Sequence, residues 1–387
     1  MAFWDDALAA AEAEPDPTSL AAAERLRRTY PSEMAAAALS QVRLRRRAAG
    51  KHPHAARMLW TADGLEQATR HCVAGWRASR FREAGASRVW DLGSGIGVDA
   101  MALAEAGLAV TAVEIDPVVA EYAAANLQLS GGGEVRLARA EDVDIPAADA
   151  VFLDPARRTG AGRTWRVEDF SPSWGLVAEL LASPRFVAAK LGPGMPKDLI
   201  PDGVRASWVS VAGQAVEVSL WNGLSAGPEA VVFASADAAP VALRLPPQPR
   251  QLPVRPLGRY LIEPDNAVIR AGVMSEIAPE ADLWLLDSHV AYLSADEPIP
   301  GPLATNFEVL QTFPFDLKSL RTWVRENHIG ALEIKKRAVD VDPARLRRQL
   351  KPSGKASATL ILARTPGGTR VVVARRVEPA AHSWHSG

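Results

Sequence analysis

The chain holds a single cysteine, Cys72, in 387 residues. That excludes an internal disulfide and any metal site built from several thiolates. Aromatic residues are sparse at 6%, and no apolar run reaches the ~18–20 residues that a membrane span needs. The opening residues, MAFWDDALAAAEAEPDP, have neither a basic stretch nor an apolar core, so no secretion signal is expected. A net charge of −1 gives no global announcement of a nucleic-acid partner. What is present is a globular composition, 48% hydrophobic and 23% charged, at a length that exceeds one typical core. Two or three domains, a cytoplasmic setting, no membrane segment and no metal are the expectation.

The informative stretch covers residues 89–117, VWDLGSGIGVDAMALAEAGLAVTAVEIDP. It reads as an apolar strand carrying Asp91, a turn with Gly93, Ser94, Gly95 and Gly97, a helix, and a second strand ending in Glu114 before Ile115. Glycines let a ligand approach the backbone, the helix start faces it, and a strand-end carboxylate can accept from ribose hydroxyls. A dinucleotide fingerprint requires Gly-x-Gly-x-x-Gly, but position 98 is Val and the spacing is Gly-x-Gly-x-Gly. With the acid just before the glycines, the stretch resembles motif I of the class I S-adenosylmethionine (SAM) methyltransferases, with Glu114 as the motif II acid. A nicotinamide or flavin is the competing cofactor class.

Around this stretch the chain alternates. Residues 1–85 are Ala-rich and helical in pattern, a first domain; residues 58–81 carry apolar positions at helical spacing and include Cys72. Strands are expected at RVWDL, AVTAVEI, EVRLARA, AVFLD, RFVAAKL, WVSVAG and AVEVSLW, with helices between them. This is a doubly wound α/β, Rossmann-like domain over 86–235. A proline-rich segment, ADAAPVALRLPPQPRQLPVRPLG, introduces a third domain over 236–387. Within it, residues 307–387 run strand–helix–strand–helix–strand–strand, a small α+β unit of ferredoxin-like type.

The three-part order, with LEQAT before motif I, DLGSGIGVDA, LDPARR and YLIEPDNAVIRAG, is similar to bacterial methyltransferases that carry a C-terminal THUMP-like domain. The resemblance implies methyl transfer from SAM and points to RNA, tRNA or rRNA, as partner. It places Gly93, Gly95 and Gly97 under the methionine and ribose and Asp91 at the cofactor's ammonium. Ala140, with either Glu141 or Asp142, falls at the adenine. Glu114 is expected to take both ribose hydroxyls, because an ionised carboxylate offers only acceptors.

The fourth strand ends in Asp154-Pro155-Ala156-Arg157-Arg158. Enzymes that methylate nucleic-acid amines use Asp/Asn-Pro-Pro-aromatic at this position, with oxygens holding the amine and the ring stacking on a flipped base. Asp154 and Pro155 keep the acceptor half; Trp165 or Trp174 are candidates for a stacking platform. Arg157 and Arg158 suggest an anionic substrate. Asp154, Lys190 and Glu217 also distantly resemble part of the constellation of ribose 2′-O-methyltransferases. Gln67 and Thr69 precede motif I and are candidates for cofactor or substrate contact. Two basic clusters, Arg43, Arg45, Arg46 and Arg47 near the start and residues 334–355 near the end, read either as solvated faces or as RNA footprints. The leading expectation is methylation of RNA at a base nitrogen. The alternatives are a small anionic or protein substrate, and a SAM-fold module that binds RNA without catalysis.

Overall fold

Short polar residues set where most helices begin. The computed structural model describes residues 2–157, 169–365 and 367–377. It opens with α1 (Ala2–Glu12), α2 (Leu20–Arg27), α3 (Ser32–Ala48), α4 (Ala62–Gln67) and α5 (His71–Glu83). Ser19 caps α2 and Thr61 caps α4, each accepting from a backbone N–H of the first turn. The helical spacing over residues 58–81 resolves into two helices rather than one. Ala68 and Arg70 take extended ψ angles of 126° and 136°, breaking the run between α4 and α5. The break carries Thr69, whose buried hydroxyl is used below.

The chain then alternates: β1 (Arg88–Leu92), α6 (Val98–Glu105), β2 (Ala109–Glu114), α7 (Pro117–Leu127), β3 (Glu134–Leu137) and β4 (Ala150–Leu153). Short strands β5 (Ala156–Arg157) and β6 (Phe170–Ser171) pair with each other before α8 (Trp174–Ala182) and β7 (Val187–Leu191). Asp116 caps α7, with Pro117 in its first turn. Next come β8 (Arg205–Val211), β9 (Gln214–Trp221), β10 (Gly227–Phe233) and β11 (Val241–Arg244), the last inside the proline-rich segment.

Two compact units result: residues 1–206 with 218–226, and residues 207–217 with 227–387. In the first, the strand order is β9-β7-β4-β1-β2-β3. Pairing is parallel from β7 through β3, and β9 runs antiparallel to β7. The chain order reverses about β1, so the crevice for a ligand lies at the carboxyl ends of β1, β2 and β4. The N-terminal helices pack in this same unit. Gln41 exchanges hydrogen bonds with the Trp60 backbone at 2.8 and 3.0 Å, and Asn126 of α7 bonds Leu59 and Ile96. Trp60, Phe81, Met101, Phe152 and Trp221 are among the fully buried side chains of its core.

The second unit contains β12 (Tyr260–Pro264), α9 (Asn266–Ala271), β13 (Trp284–Asp287), β14 (Val290–Ala295), β15 (Ala304–Pro314), α10 (Leu317–Glu326), β16 (Ile329–Arg337), α11 (Pro343–Leu350), β17 (Ala356–Thr365) and β18 (Gly368–Val377). The strand–helix–strand–helix–strand–strand order expected at the C-terminus is present. Its four strands join three more in one sheet, β13-β14-β12-β15-β18-β17-β16, with β16 parallel to β17. Leu320 and Val324 of α10 and Leu346 and Leu350 of α11 bury one face of each helix against it.

Candidate functional site

A cavity of about 360 Å³ opens in the first unit at the carboxyl ends of β1, β2 and β4. Its floor is the turn after β1. Gly93, Gly95 and Gly97 have φ of 80°, 54° and 85°, left-handed values that favour glycine. The three differ in what a side chain would meet. A Cβ on Gly93 would lie 3.1 Å from Pro172 Cδ and one on Gly97 3.3 Å from Ala123 Cα, while at Gly95 nothing lies within 4 Å. Gly93, Ser94 and Gly95 line the cavity; Gly97 does not. Gly97 instead sits where α6 approaches α7.

Glu114 closes the turn. Its Oε2 accepts from Gly95 N at 2.9 Å, and Oε1 accepts from Ile115 N and Asp116 N at 2.8 and 3.0 Å. Three backbone donors thus fix a carboxylate on the cavity wall. Ile115 lines the cavity and is exposed. Of the two acids after β3, Glu141 lines the cavity and accepts from Ser173 N at 3.1 Å. Asp142 does not line it; it sits 3.7 Å from Arg139 on the surface.

Along the cavity wall and into the core behind it runs a polar chain whose connections the sequence pattern did not reveal. Arg77 donates to Asp99, and its guanidinium lies 4.7 Å from the Phe152 ring centroid. Thr69 donates to Asp99 at 2.7 Å, Lys190 donates to Thr69 at 2.9 Å, and Lys190 also donates to Asp154. Burial raises the Asp99 pKa, but the Arg77 and Lys190 charges outweigh it and the net shift is downward. For Asp154 the balance is reversed, with burial and Asp99 raising its pKa against Lys190. Asp99 and Arg77 gave no sequence signal of this role: one is an acid in a helix's first turn, the other a charged position in an apolar-spaced helix.

Comparison with known proteins decides the family. Two curated relatives from Mycobacterium tuberculosis, strains CDC 1551 and H37Rv, are each described as an uncharacterised S-adenosylmethionine-dependent methyltransferase. Each is 33% identical over 342 residues, 84% of this chain and 92% of the relative. The chain belongs to the S-adenosylmethionine-dependent methyltransferases. A crystal structure assigned as a methyltransferase, from Porphyromonas gingivalis W83, covers 97% of this chain and 99% of its own at a TM-score of 0.76 and 20% identity, and so shares the fold. Residues 304–376 match the family described as THUMP domain-like, and residues 5–48 match a domain of unknown function.

The residues present fit the cofactor of this methyltransferase family. Ser94 Oγ is buried beside the cavity with no hydrogen-bond partner, a donor placed for a carboxylate. Gly95 leaves open the space that any Cβ would take. Glu114 presents acceptors already oriented by backbone donors.

Other expected site residues are placed differently. Asp91, expected at the cofactor's ammonium, is 0% exposed, lines no part of the cavity, and has both carboxyl oxygens without a hydrogen-bond partner. Burial first, and then repulsion from Asp99 and Asp154, raise its pKa well above the usual carboxylate range. Pro155 is buried and does not line the cavity, whereas Asp154 and Ala156 do. Arg157 is placed by its backbone in β5. Arg158 and Trp165 lie outside the described residues. Trp174 packs near Phe170, their ring centroids 6.5 Å apart, and is not part of the lining. Gln67, Thr69 and Lys190 do line the cavity, while Glu217 belongs to the second unit.

Part of the N-terminal arginine cluster has partners within the helical region. Arg45 donates to the Met58 and Arg57 carbonyls and pairs with Glu12; Arg46 donates to the carbonyls of Glu12, Glu14 and Pro15. Two of the four arginines thus tie α3 to the chain at residues 12–15 and 57–58. Among the described residues, no helix is long and apolar enough to cross a membrane.

Proposed function

We propose that this chain methylates RNA at a base nitrogen. The observation that carries the nitrogen reading is the Asp154 carboxyl on the cavity wall, held through Oδ2 by Lys190. That contact leaves Oδ1 as an acceptor for a substrate N–H. SAM, when bound, supplies an electrophilic methyl group on a sulfonium. Glu114 is the residue to hold its ribose hydroxyls, Glu141 the adenine amine, Ile115 the adenine face, and Ser94 with the Gly95 turn the methionine end. Asp154 orients the nucleophilic nitrogen and accepts its proton, and fixed placement supplies much of the rate. Its raised pKa favours that acceptance. Lys190 directs its N–H groups at Asp154 and Thr69, which supports an anchoring role over that of a base for a hydroxyl. The RNA reading is supported by the THUMP domain-like match over residues 304–376.

The test is transfer of labelled methyl from SAM to total tRNA, to rRNA and to an RNA-free metabolite fraction, followed by nucleoside chromatography. Label in an N-methylated base, falling at least ~100-fold in Asp154→Asn, is expected. Label in ribose 2′-O-methyl, or only in the metabolite fraction, overturns the reading. So does cofactor binding without transfer to any of the three.

A further inference from the structure

The second unit has a larger cavity, about 700 Å³, within the range of small-molecule sites. It opens beside the EPDNAVIRAG motif, whose Asp265 caps α9 and whose Glu263 has no part in that cap. Three cations converge on it: Lys335 and Arg337 from β16 and Arg376 from β18. In strand order β15, β18 and β17 separate β12 from β16, yet Lys335 Nζ meets Glu263 Oε2 at 2.6 Å. The sheet therefore curls enough to bring these side chains to one place.

The cations are supported as a binding wall would be. Lys335 and Arg376 lie 5.5 and 5.3 Å from the Phe307 ring centroid, and Arg337 lies 5.3 Å from that of Tyr292. Arg337 Nε is buried with no hydrogen-bond partner, so one donor of its fork is unused. Their charge is only partly matched. Glu263 serves both Lys335 and Arg337, the latter at 3.6 Å. Arg376 reaches Glu333 at 3.7 Å, a pair about half exposed on both sides and worth little in water. Asp265 also lines the cavity, but its carboxyl is engaged by Ser210 and by Ala267 N at 2.6 and 2.7 Å. Two carboxylates in the lining, Glu263 and Asp265, stand against these three cations, which leaves an excess of positive charge for an anion, and two guanidinium forks suit a tetrahedral oxyanion better than a further carboxylate.

We propose that this cavity binds a phosphate monoester through Lys335, Arg337 and Arg376, with Glu263 occupying two of those cations in its absence. Thr305, also in the lining, is available to the organic part, while the Asn266 side-chain amide already donates to Gly213 O at 2.7 Å. The phosphate has two candidate sources, a free nucleoside monophosphate and the 5′-phosphate of a strand. The site is separate from the methyl-transfer cavity, and the proposal does not rest on the RNA reading.

The test is calorimetric titration of the full chain with uridine 5′-monophosphate, with uridine as control, on wild type, Arg376→Ala, Lys335→Ala and Glu263→Gln. Arg376 is half exposed, so its variant is expected to fold. Binding of the monophosphate but not of uridine is expected, about tenfold weaker in Arg376→Ala and Lys335→Ala. Glu263→Gln is expected to bind several-fold more tightly, because it releases two cations and removes a repelling charge. Equal binding of uridine, no loss in the cation variants, or weaker binding by Glu263→Gln overturns the proposal; so does no binding to either wild type or Glu263→Gln. A 5′-phosphorylated uridine tetranucleotide, compared with its 5′-hydroxyl form, identifies the source. Phosphate-dependent binding tighter than that of the mononucleotide assigns a strand end, and weaker binding assigns the free nucleotide.

Discussion

Lys190 Nζ donates to Thr69 Oγ1 at 2.9 Å, joining the central sheet at β7 to the break between α4 and α5. The same hydroxyl gives its one proton to Asp99 Oδ2 at 2.7 Å. A hydroxyl that accepts from an ammonium and donates to a carboxylate has its polarity fixed on both sides. Lys190 in turn holds Asp154, so the orientation of the acceptor carboxyl depends on a threonine in a loop before motif I.

Thr69→Val keeps the shape and removes both bonds. Lys190 is then deprived of an acceptor and Asp99 of a donor, each buried, at a cost of about 1–3 kcal/mol in stability. The kcat for methyl transfer is expected to fall about tenfold, with a smaller change in SAM affinity, because the two hydrogen bonds steady the anchor of Asp154 and neither involves Glu114. Thr69→Ser restores both hydrogen bonds and should recover most of the rate. A serine variant as slow as the valine one would show that the methyl group's packing matters and not the relay.

The three motif glycines are expected to separate by readout. Gly95→Ala meets no atom within 4 Å and carries only the penalty of a left-handed φ, about 1–2 kcal/mol. It should fold, and weaken SAM binding, since the new methyl occupies the cavity floor. Gly97→Ala meets the same backbone penalty and also crowds Ala123 at 3.3 Å. Its loss should show in thermal unfolding first, with SAM affinity reduced less than in Gly95→Ala. Thermal melts with and without SAM measure both.

Strong local signals carried much of the architecture. Asp116-Pro117 before an apolar helix and the glycines between two apolar strands each specify one backbone shape, and both were legible. The place of Glu114 on the cavity wall was legible too, because the carboxyl end of the second strand faces the crevice. Asp91 shares that description yet is sealed off, since register decides which strand-end carboxyl reaches the crevice, and register is set by distant packing. Lys190 and Asp99 lie on separate elements that only the parallel sheet brings together. Arg45 and Arg46 look like any exposed basic face until the carbonyls of residues 12–15 and 57–58 fold against them. Their partners are backbone atoms, which no residue pattern advertises.

His52 makes stability fall in mild acid. Burial, followed by the neighbouring His71, lowers its pKa from the ordinary imidazole value of 6.5 to about 4. Glu105 and Asp99 oppose that shift and His54 adds to it. Above pH 6.5 the ring is neutral in both folded and unfolded chains and contributes nothing to the difference. Below it the unfolded chain takes up a proton that the folded one refuses until about pH 4, so stability drops across that window by up to about 3 kcal/mol. His52→Gln should remove this part of the pH dependence. Unfolding curves at pH 7, 6, 5 and 4 that run parallel for wild type and variant would refute it.

Asp91 makes the opposite contribution. Its pKa is raised in the folded chain by burial and by Asp99 and Asp154, so the folded state keeps a proton that the unfolded state releases above its ordinary value near 4. The contribution is therefore fully present only below that value and is lost as pH rises. At pH 7 the residue destabilises the fold. Asp91→Asn keeps the size, is neutral at every pH, and removes the penalty. It is expected to melt at a higher temperature than wild type at pH 7, with the gain shrinking as the pH approaches 4. Because Asp91 lines no part of the cavity, SAM affinity should change little. A variant that is more stable but no longer binds SAM would place the Asp91 carboxylate in the cofactor site after all, and its burial would then be relieved when the ligand is bound.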